Sequence, residues 1–431
     1  MLSLQNKYNI ETIKTNNRTM RKTFLLLAAF LPTLASAQTF NFDMTQEQPI
    51  FSESAGYGYD ILPAPTKKGN LPYYFSVNVP DGNYKVRVEI GSKKKAGNTT
   101  VRAEGRRLMV ENIDTKKREF VTYEFIVNKR SPKIDDKTRV RIKEREKGYL
   151  AWDEKLTIEV NGTAPVVKSI QIERDDKCPT LYLCGNSTVV DQNNEPWASW
   201  GQMITRWFDS RIAISNHAES GLTAGSFLAS NRLDKILSTI KPGDYVLCEF
   251  GHNDEKEKGP GSGAWYHYSR NLKIFIDRVR KAGGELIFCT PTQRRRFDDN
   301  KKHLVNTHGE FPDAMKAVAE RENVPLIDLH KETTHFFEAL GYEDSKRALV
   351  HYPANTFPNQ PKELADNTHF NNFGAYEVAK IVVMGLKKLN HPVVKYLRDD
   401  FKDFDPNQPD DWKTFKWAPS MNADMVKPDG N

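Results

Sequence analysis

The sequence predicts an α/β domain built on a parallel sheet and preceded by an all-β sandwich. Three observations predict it. Between about residues 38 and 165, apolar and polar side chains alternate at the period of a strand, with turn residues between the runs. Past Asp175-Asp-Lys-Cys-Pro179 the pattern changes to continuous apolar runs separated by helical ones, as expected of parallel strands covered on both faces. At 431 residues the chain is also too long for one ordinary core.

Taken in order, the chain opens with a targeting signal. Starting at Met20, Arg21 and Lys22 form a basic start, Phe24 to Leu31 is an apolar run too short to span a bilayer, and Ala35-Ser-Ala37 is a small-residue cleavage pattern. A signal peptide within residues 1–37 and a mature chain from about Gln38 are therefore expected, which implies an exported protein, periplasmic or extracellular. Those 37 residues hold Lys7, Lys14, Arg18, Arg21 and Lys22 against Glu11, so their removal lowers the formal charge from +7 to +3. That balance is compatible with a polyanionic polymer but does not single one out.

The sandwich is assigned to residues 38–172. Phe75, Val77 and Val79 lead into Pro80-Asp-Gly82, and Tyr84, Val86, Val88 and Ile90 lead out, which predicts a hairpin. Phe120–Val127, Arg139–Ile142 and Leu156–Val160 repeat the pattern. The basic run Lys93-Lys-Lys95 reads as a solvated loop, so no nucleic-acid partner is expected. The α/β domain is assigned to residues 176–395. Its strands are Leu181–Cys184, Ile212–Ile214, Tyr245–Phe250, Glu285–Cys289 and Pro325–Leu329; its helices include Trp197–Phe208, Tyr268–Ala282, Pro312–Asn323 and Phe373–Leu389. The remainder, 396–431, is an aperiodic tail expected to pack back through Trp412, Phe415 and Trp417, with no segment apolar enough to anchor in a membrane.

Cys178, Cys184, Cys248 and Cys289 would prompt a disulfide reading in an exported protein, yet three of them sit inside apolar strand runs and read better as small core residues. No zinc-ligand spacing is present, so neither a metal nor a cofactor is expected.

The chemistry-bearing segments follow successive strands. Ligands bind beyond the carboxyl ends of the strands in open α/β sheets, so Ser187, Gly221, Asn253 and the pair Asp366 and His369 are brought to one edge. A nucleophilic serine needs a base and a group that orients the base, and Asp366-x-x-His369 supplies both. Acyl transfer also needs donors for the developing oxyanion, and the backbone N–H groups of Ser187 and Gly221 with the Asn253 side-chain amide are of the right kind. Gly221-Leu-Thr-Ala-Gly225 mimics a nucleophile elbow around Thr223, but it has no base of its own.

The segments Gly185-Asn-Ser187-Thr188, Asn216-x-Ala218-x-x-Gly221, Gly251-His-Asn253-Asp254 and Asp366-x-x-His369 resemble the four blocks of the SGNH (GDSL-type) hydrolases. Residues 180–390, with Trp200-Gly-Gln202 and Asp244-Tyr-Val246, resemble the rhamnogalacturonan acetylesterase branch. The resemblance implies a flavodoxin-like α/β/α fold and metal-free hydrolysis of acetyl esters on pectic polysaccharide. It implies Ser187 as nucleophile, Asp366 and His369 as the rest of the triad, and Gly221 and Asn253 as oxyanion donors. Two positions depart from the pattern: Asn186 stands where the first block has Asp, and Leu222 stands where this branch has Arg.

Substrate contacts are expected from Arg294, after the fourth strand, and from Trp265, Tyr266 and His267, whose rings can stack on sugars. The expected function is an exported serine acetylesterase whose partner is acetylated plant cell-wall polysaccharide. The sandwich, of jelly-roll or galactose-binding-like kind, is either a carbohydrate-binding module or a structural partner. The rival readings are an esterase of another acetylated glycan such as xylan, or a non-catalytic glycan-binding surface protein.

Overall fold

A computed structural model of the chain describes residues 39–62, 71–421 and 427–429. The segment read as a signal peptide lies outside the described residues. Nine strands come first: β1 (Thr39–Asp43), β2 (Tyr57–Asp60), β3 (Tyr73–Asn78), β4 (Gly82–Gly91), β5 (Gly97–Ala103), β6 (Arg107–Thr115), β7 (Phe120–Lys129), β8 (Lys155–Ala164) and β9 (Val167–Arg174). They form two antiparallel sheets, ordered β1-β9-β4-β7 and β2-β3-β8-β5-β6. One apolar cluster is shared between them: Val86, Val88 and Ile90 of β4 meet Phe75 and Val77 of β3 and Ile158 and Val160 of β8. Alternation places those side chains inward, while Arg87 on β4 points to solvent.

The hairpin expected at Pro80-Asp-Gly82 is not formed. β3 pairs with β2 and β8, whereas β4 pairs with β7 and β9, so the turn carries the chain from one sheet to the other. Both arrangements bury the same alternate residues, and the turn is held by a 2.9 Å bond from the Tyr84 hydroxyl to the Pro80 carbonyl. Arg139–Ile142 is not a strand either. Val140 and Ile142 instead pack with Trp152 and Ala151 in a small cluster of their own.

The second part is a five-stranded parallel sheet of β10 (Thr180–Gly185), β11 (Ala213–Asn216), β12 (Tyr245–Glu249), β13 (Glu285–Cys289) and β14 (Leu326–Ile327), ordered β11-β10-β12-β13-β14. Its helices are α1 (Trp200–Met203), α2 (Ala224–Ala229), α3 (Arg232–Leu237), α4 (Ser269–Lys281), α5 (Phe311–Glu322), α6 (Leu329–Asp344) and α7 (Asn372–Lys388). Leu181, Leu183, Leu247 and Ile287 face α1, α6 and α7; Tyr182, Cys184, Val246, Cys248 and Phe288 face α2 to α5. This is the doubly covered sheet that the continuous apolar runs predict. The helix expected over Trp197–Phe208 is shorter, four residues followed by a 3-10 turn over Ile204–Trp207. All four cysteines are free and buried.

A two-stranded antiparallel ribbon, β15 (Leu349–Tyr352) and β16 (Leu364–Phe370), precedes α7. Phe370 is fully buried and its carbonyl accepts from the Ala198 N–H at 2.9 Å, which docks the ribbon beside α1. The tail packs back as expected. Phe415 contacts Phe373, and Trp417 lies under the Arg102 guanidinium on the outer face of the five-stranded sheet. No helix among the described residues is long and apolar enough to cross a membrane.

Candidate active site

Ser187 sits in the turn that leaves β10. Gly185 ends that strand because a β-carbon there would lie 2.5 Å from Val189 and 2.9 Å from the Glu249 carbonyl. The turn is held from beneath: the Ser187 carbonyl accepts from the Gln192 amide at 2.9 Å and from the Ser199 hydroxyl at 2.6 Å. Gln202, the last residue of Trp200-Gly-Gln202, accepts from the N–H groups of Gln192 and Ser199, both at 3.1 Å. Trp200 donates to Glu249 at 2.6 Å.

Asn186 keeps a supporting bond. Its carbonyl accepts from the Thr188 N–H at 3.1 Å and its hydroxyl at 2.9 Å, while its amide nitrogen has no partner among the described residues. The Thr188 hydroxyl also lies 2.8 Å from Glu249 Oε1. One hydroxyl proton cannot serve two acceptors, so a protonated Glu249 donating to Thr188 satisfies both contacts. Burial pushes the Glu249 carboxyl in that direction, up to about 7, against the hydrogen bonds donated by Trp200 and the Thr292 N–H.

On the far side of Ser187 stands the β16 pair. The Ser187 hydroxyl is 2.8 Å from His369 Nε2, and His369 Nδ1 is 2.8 Å from Asp366 Oδ2. The other Asp366 oxygen accepts from the backbone N–H groups of Thr368 and His369 at 2.9 and 3.0 Å. Burial alone would raise the Asp366 carboxyl; the bond to His369, its charge and these two N–H groups hold it well below the usual carboxylate range. All three side chains are buried, at 3% exposure for Ser187, 1% for His369 and 6% for Asp366. An ionised carboxylate thus fixes the imidazole with Nε2 toward the hydroxyl, an arrangement able to take the serine proton.

The oxyanion candidates occupy the neighbouring turns. Gly221 follows β11 with φ +78°, a conformation that suits glycine. Asn253 follows β12, and one of its amide hydrogens goes to the Leu222 carbonyl at 3.1 Å, which ties the two turns together. Among the described residues the backbone N–H groups of Ser187 and Gly221 have no acceptor. Asp254 adds a second tie, accepting from the N–H groups of Ala224 and Gly251 at 2.8 and 3.0 Å. Burial pushes it up to about 7. Thr223 caps α2 through a bond from the Ser226 N–H, so its hydroxyl is committed to the helix.

A GDSL-like lipase/acylhydrolase family model matches residues 183–375. Rhamnogalacturonan acetylesterase RhgT of Bacillus subtilis (strain 168) is 42% identical over 219 residues, which span 50% of this chain and 93% of that protein. The chain belongs to the GDSL-like lipase/acylhydrolase family. The resemblance carried by the four blocks is borne out. The uncharacterized esterase YxiM of the same organism is 27% identical to this acylhydrolase over 331 residues, 75% of each chain. The crystal structure of YxiM covers 82% of this chain and 99% of its own at 23% identity, with a TM-score of 0.46.

The substrate contacts expected in this acylhydrolase fall into two groups. Arg294 is turned inward: its guanidinium is 2.6 Å from Glu255 and donates to the His252 carbonyl at 3.1 Å, bracing the loop that carries Asn253. Trp265 and Tyr266 stand 55% and 63% exposed on the turn before α4, with His267 stacked on Tyr266. Residues that sequence reasoning passed over also belong here. A cavity of about 240 Å³ beside the Ser187 turn is lined by Arg145, Tyr149, Gln192, Asn193, Trp197 and Lys427. Arg145 and Tyr149 come from the turn before β8, outside the four blocks, and no spacing signal pointed to them.

Proposed function

We propose that this GDSL-like acylhydrolase is an exported serine esterase that removes acetyl groups from pectic polysaccharide of the rhamnogalacturonan type. One observation carries the reading: a buried Ser187–His369–Asp366 chain with both hydrogen bonds at 2.8 Å. The substrate class is supported by the relatives named as rhamnogalacturonan acetylesterases, one of them 42% identical. Export is supported by the order of basic, apolar and small-residue segments between Met20 and Ala37.

In this reading the Ser187 hydroxyl attacks the acetyl carbonyl while His369 Nε2 takes its proton. The carbonyl oxygen becomes an oxyanion facing the N–H groups of Ser187 and Gly221 and the second amide hydrogen of Asn253. His369 then protonates the departing sugar oxygen, leaving acetyl-Ser187 and a free sugar hydroxyl. Water attacks the acetyl group, its proton passing to His369 and then to the Ser187 oxygen as acetate leaves. Asp366, ionised throughout, stabilises the imidazolium. The exposed Trp265 and Tyr266 rings offer stacking faces for the glycan.

Hydrolysis of an aryl acetate and acetate release from acetylated pectin test the reading in wild type and in Ser187→Ala. The substitution should lower kcat by at least about a thousandfold with the fold intact. Near-normal turnover would remove Ser187 from the nucleophile's role.

A further inference from the structure

The turn Lys143–Arg145 belongs to the segment between β7 and β8, yet it reaches the loop that follows β11. The Lys143 ammonium donates to the Ser220 carbonyl at 2.6 Å. Arg145 turns Nε and Nη2 onto the buried carboxylate of Glu219, with Nε at 3.1 Å, and keeps Nη1 facing the cleft. Only Arg145 meets that carboxylate, Lys143 being held by the neutral Ser220 carbonyl, so the cleft side carries surplus positive charge. What meets that surplus is Asp429: its Oδ2 is 2.8 Å from Lys143 Nζ and its Oδ1 is 3.1 Å from Arg145 Nη1. Each carboxylate oxygen has its own cation, a fork arrangement suited to a carboxylate.

The position of this fork gives it meaning. A β-carbon built on Gly221 would lie 2.9 Å from the Asp429 side chain and 3.1 Å from Lys143 Nζ, so the bound carboxylate abuts the glycine that supplies an oxyanion donor. Two residues earlier, Lys427 Nζ is 3.6 Å from Asp366 Oδ2, and Pro428 lines the cavity beside the nucleophile turn. Lys427 to Asp429 thus cross from the triad carboxylate to the oxyanion turn. Their charged side chains remain about half exposed, 51% for Lys427 and 54% for Asp429. Ion pairs this open to water are weak and fall with added salt, so a ligand carboxylate can replace Asp429.

We infer that Lys143 and Arg145 form a subsite for the carboxylate of a uronic-acid residue in an acidic glycan, and that Asp429 occupies this subsite as an internal competitor. The inference rests on the esterase reading for its purpose, though binding can be measured without turnover. An acidic chain seated here would hold a uronate beside Gly221 and present a neighbouring acetylated sugar to Ser187. The two-sheet region would then recognise the substrate at the site itself, through a pair of side chains.

Calorimetric titration with unacetylated trigalacturonate reads the subsite directly, alongside 4-nitrophenyl acetate turnover as the separate readout of the esterase. Lys143→Gln, chosen because Lys143 is part-exposed and its loss leaves the Arg145–Glu219 pair intact, should weaken trigalacturonate about tenfold. Asp429→Asn should tighten it about threefold, and the wild-type affinity should fall with salt. A neutral trisaccharide should respond to neither substitution. Wild type that fails to bind trigalacturonate, or variants that both bind it as wild type does, would overturn the inference. Loss of 4-nitrophenyl acetate turnover in wild type would instead overturn the esterase reading and leave the binding result standing.

Discussion

Two regions of this molecule bury carboxylates in opposite ways. Around the end of β12, Glu249 and Asp254 are enclosed with hydrogen-bond donors but no cation, and burial pushes each up to about 7. His252, 3.7 Å from Glu249, is itself held well below its usual range by burial and so stays neutral. Where the two-sheet region meets the parallel sheet, buried carboxylates are matched with arginines instead: Glu195 with Arg106 at 3.1 Å, Asp191 with Arg107 at 2.7 Å and Glu146 with Arg232 at 2.6 Å. In the proposed reaction an ionised carboxylate beneath Ser187 would oppose the developing oxyanion, whereas protonated acids brace the turn without that field. At the boundary no such constraint applies, and full charges bolt the regions together. Glu104 and Glu219 are exceptions on the boundary side, both buried and pushed up by burial, to about 8 and about 7.

The comparison can be broken at several points. The largest effect is expected at the catalytic edge: Asn253→Ala should lower kcat about a hundredfold or more on an aryl acetate while leaving the urea midpoint close to wild type. A shifted midpoint with unchanged kcat would make Asn253 part of the scaffold. Next, Glu146→Leu strands a buried guanidinium and should destabilise the protein by about 3–5 kcal/mol in urea denaturation, whereas adding Arg232→Met should restore most of the loss. If the single change is neutral, the boundary pairs do not hold the regions together.

A smaller effect sharpens the neutral side. The folded protein keeps a proton on Glu249 that the unfolded chain releases above about pH 4.5, so the stability contributed by Glu249 should fall as pH rises from there to about 7 and then level off. The slope for one group reaches roughly 1.4 kcal/mol per pH unit, and Glu249→Gln should flatten it. A slope unchanged in that variant would assign the dependence to other groups. Smallest of all, Arg87→Ala removes an exposed partner of Glu124 on the outer face of the four-stranded sheet and should shift stability by less than about 1 kcal/mol.

Much of this was readable before any coordinates. Leu181–Cys184 and Leu286–Cys289 are continuous apolar runs too short for helices, and alternation with helical segments makes them strands buried on both faces. Their carboxyl ends then gather Ser187, Gly221 and Asn253 by topology alone. The Pro80-Asp-Gly82 turn departs from the expected hairpin because a period of two tells which face a residue takes and not which sheet its strand joins. The short helices α2 and α3 escaped notice because six residues give too little periodicity. Arg106, Arg107 and Arg232 were invisible as core residues, since arginine reads as surface and their partners stand 84 to 89 residues away. Arg294 was assigned outward for the same reason, its partner Glu255 lying on a different loop.

The ribbon β15–β16 has a further consequence, for the order in which the molecule matures. His369 meets a serine 182 residues earlier in the chain. The strand that leads to Ser187 can pair with β11 and β12 as soon as those emerge, but His369 arrives only after β14 and α6 and must dock through Phe370 beside α1. Contacts that close so long a loop form late. The Ser187–His369 contact is therefore expected to be among the last this chain forms, and a partly folded copy holds Ser187 with no imidazole beside it.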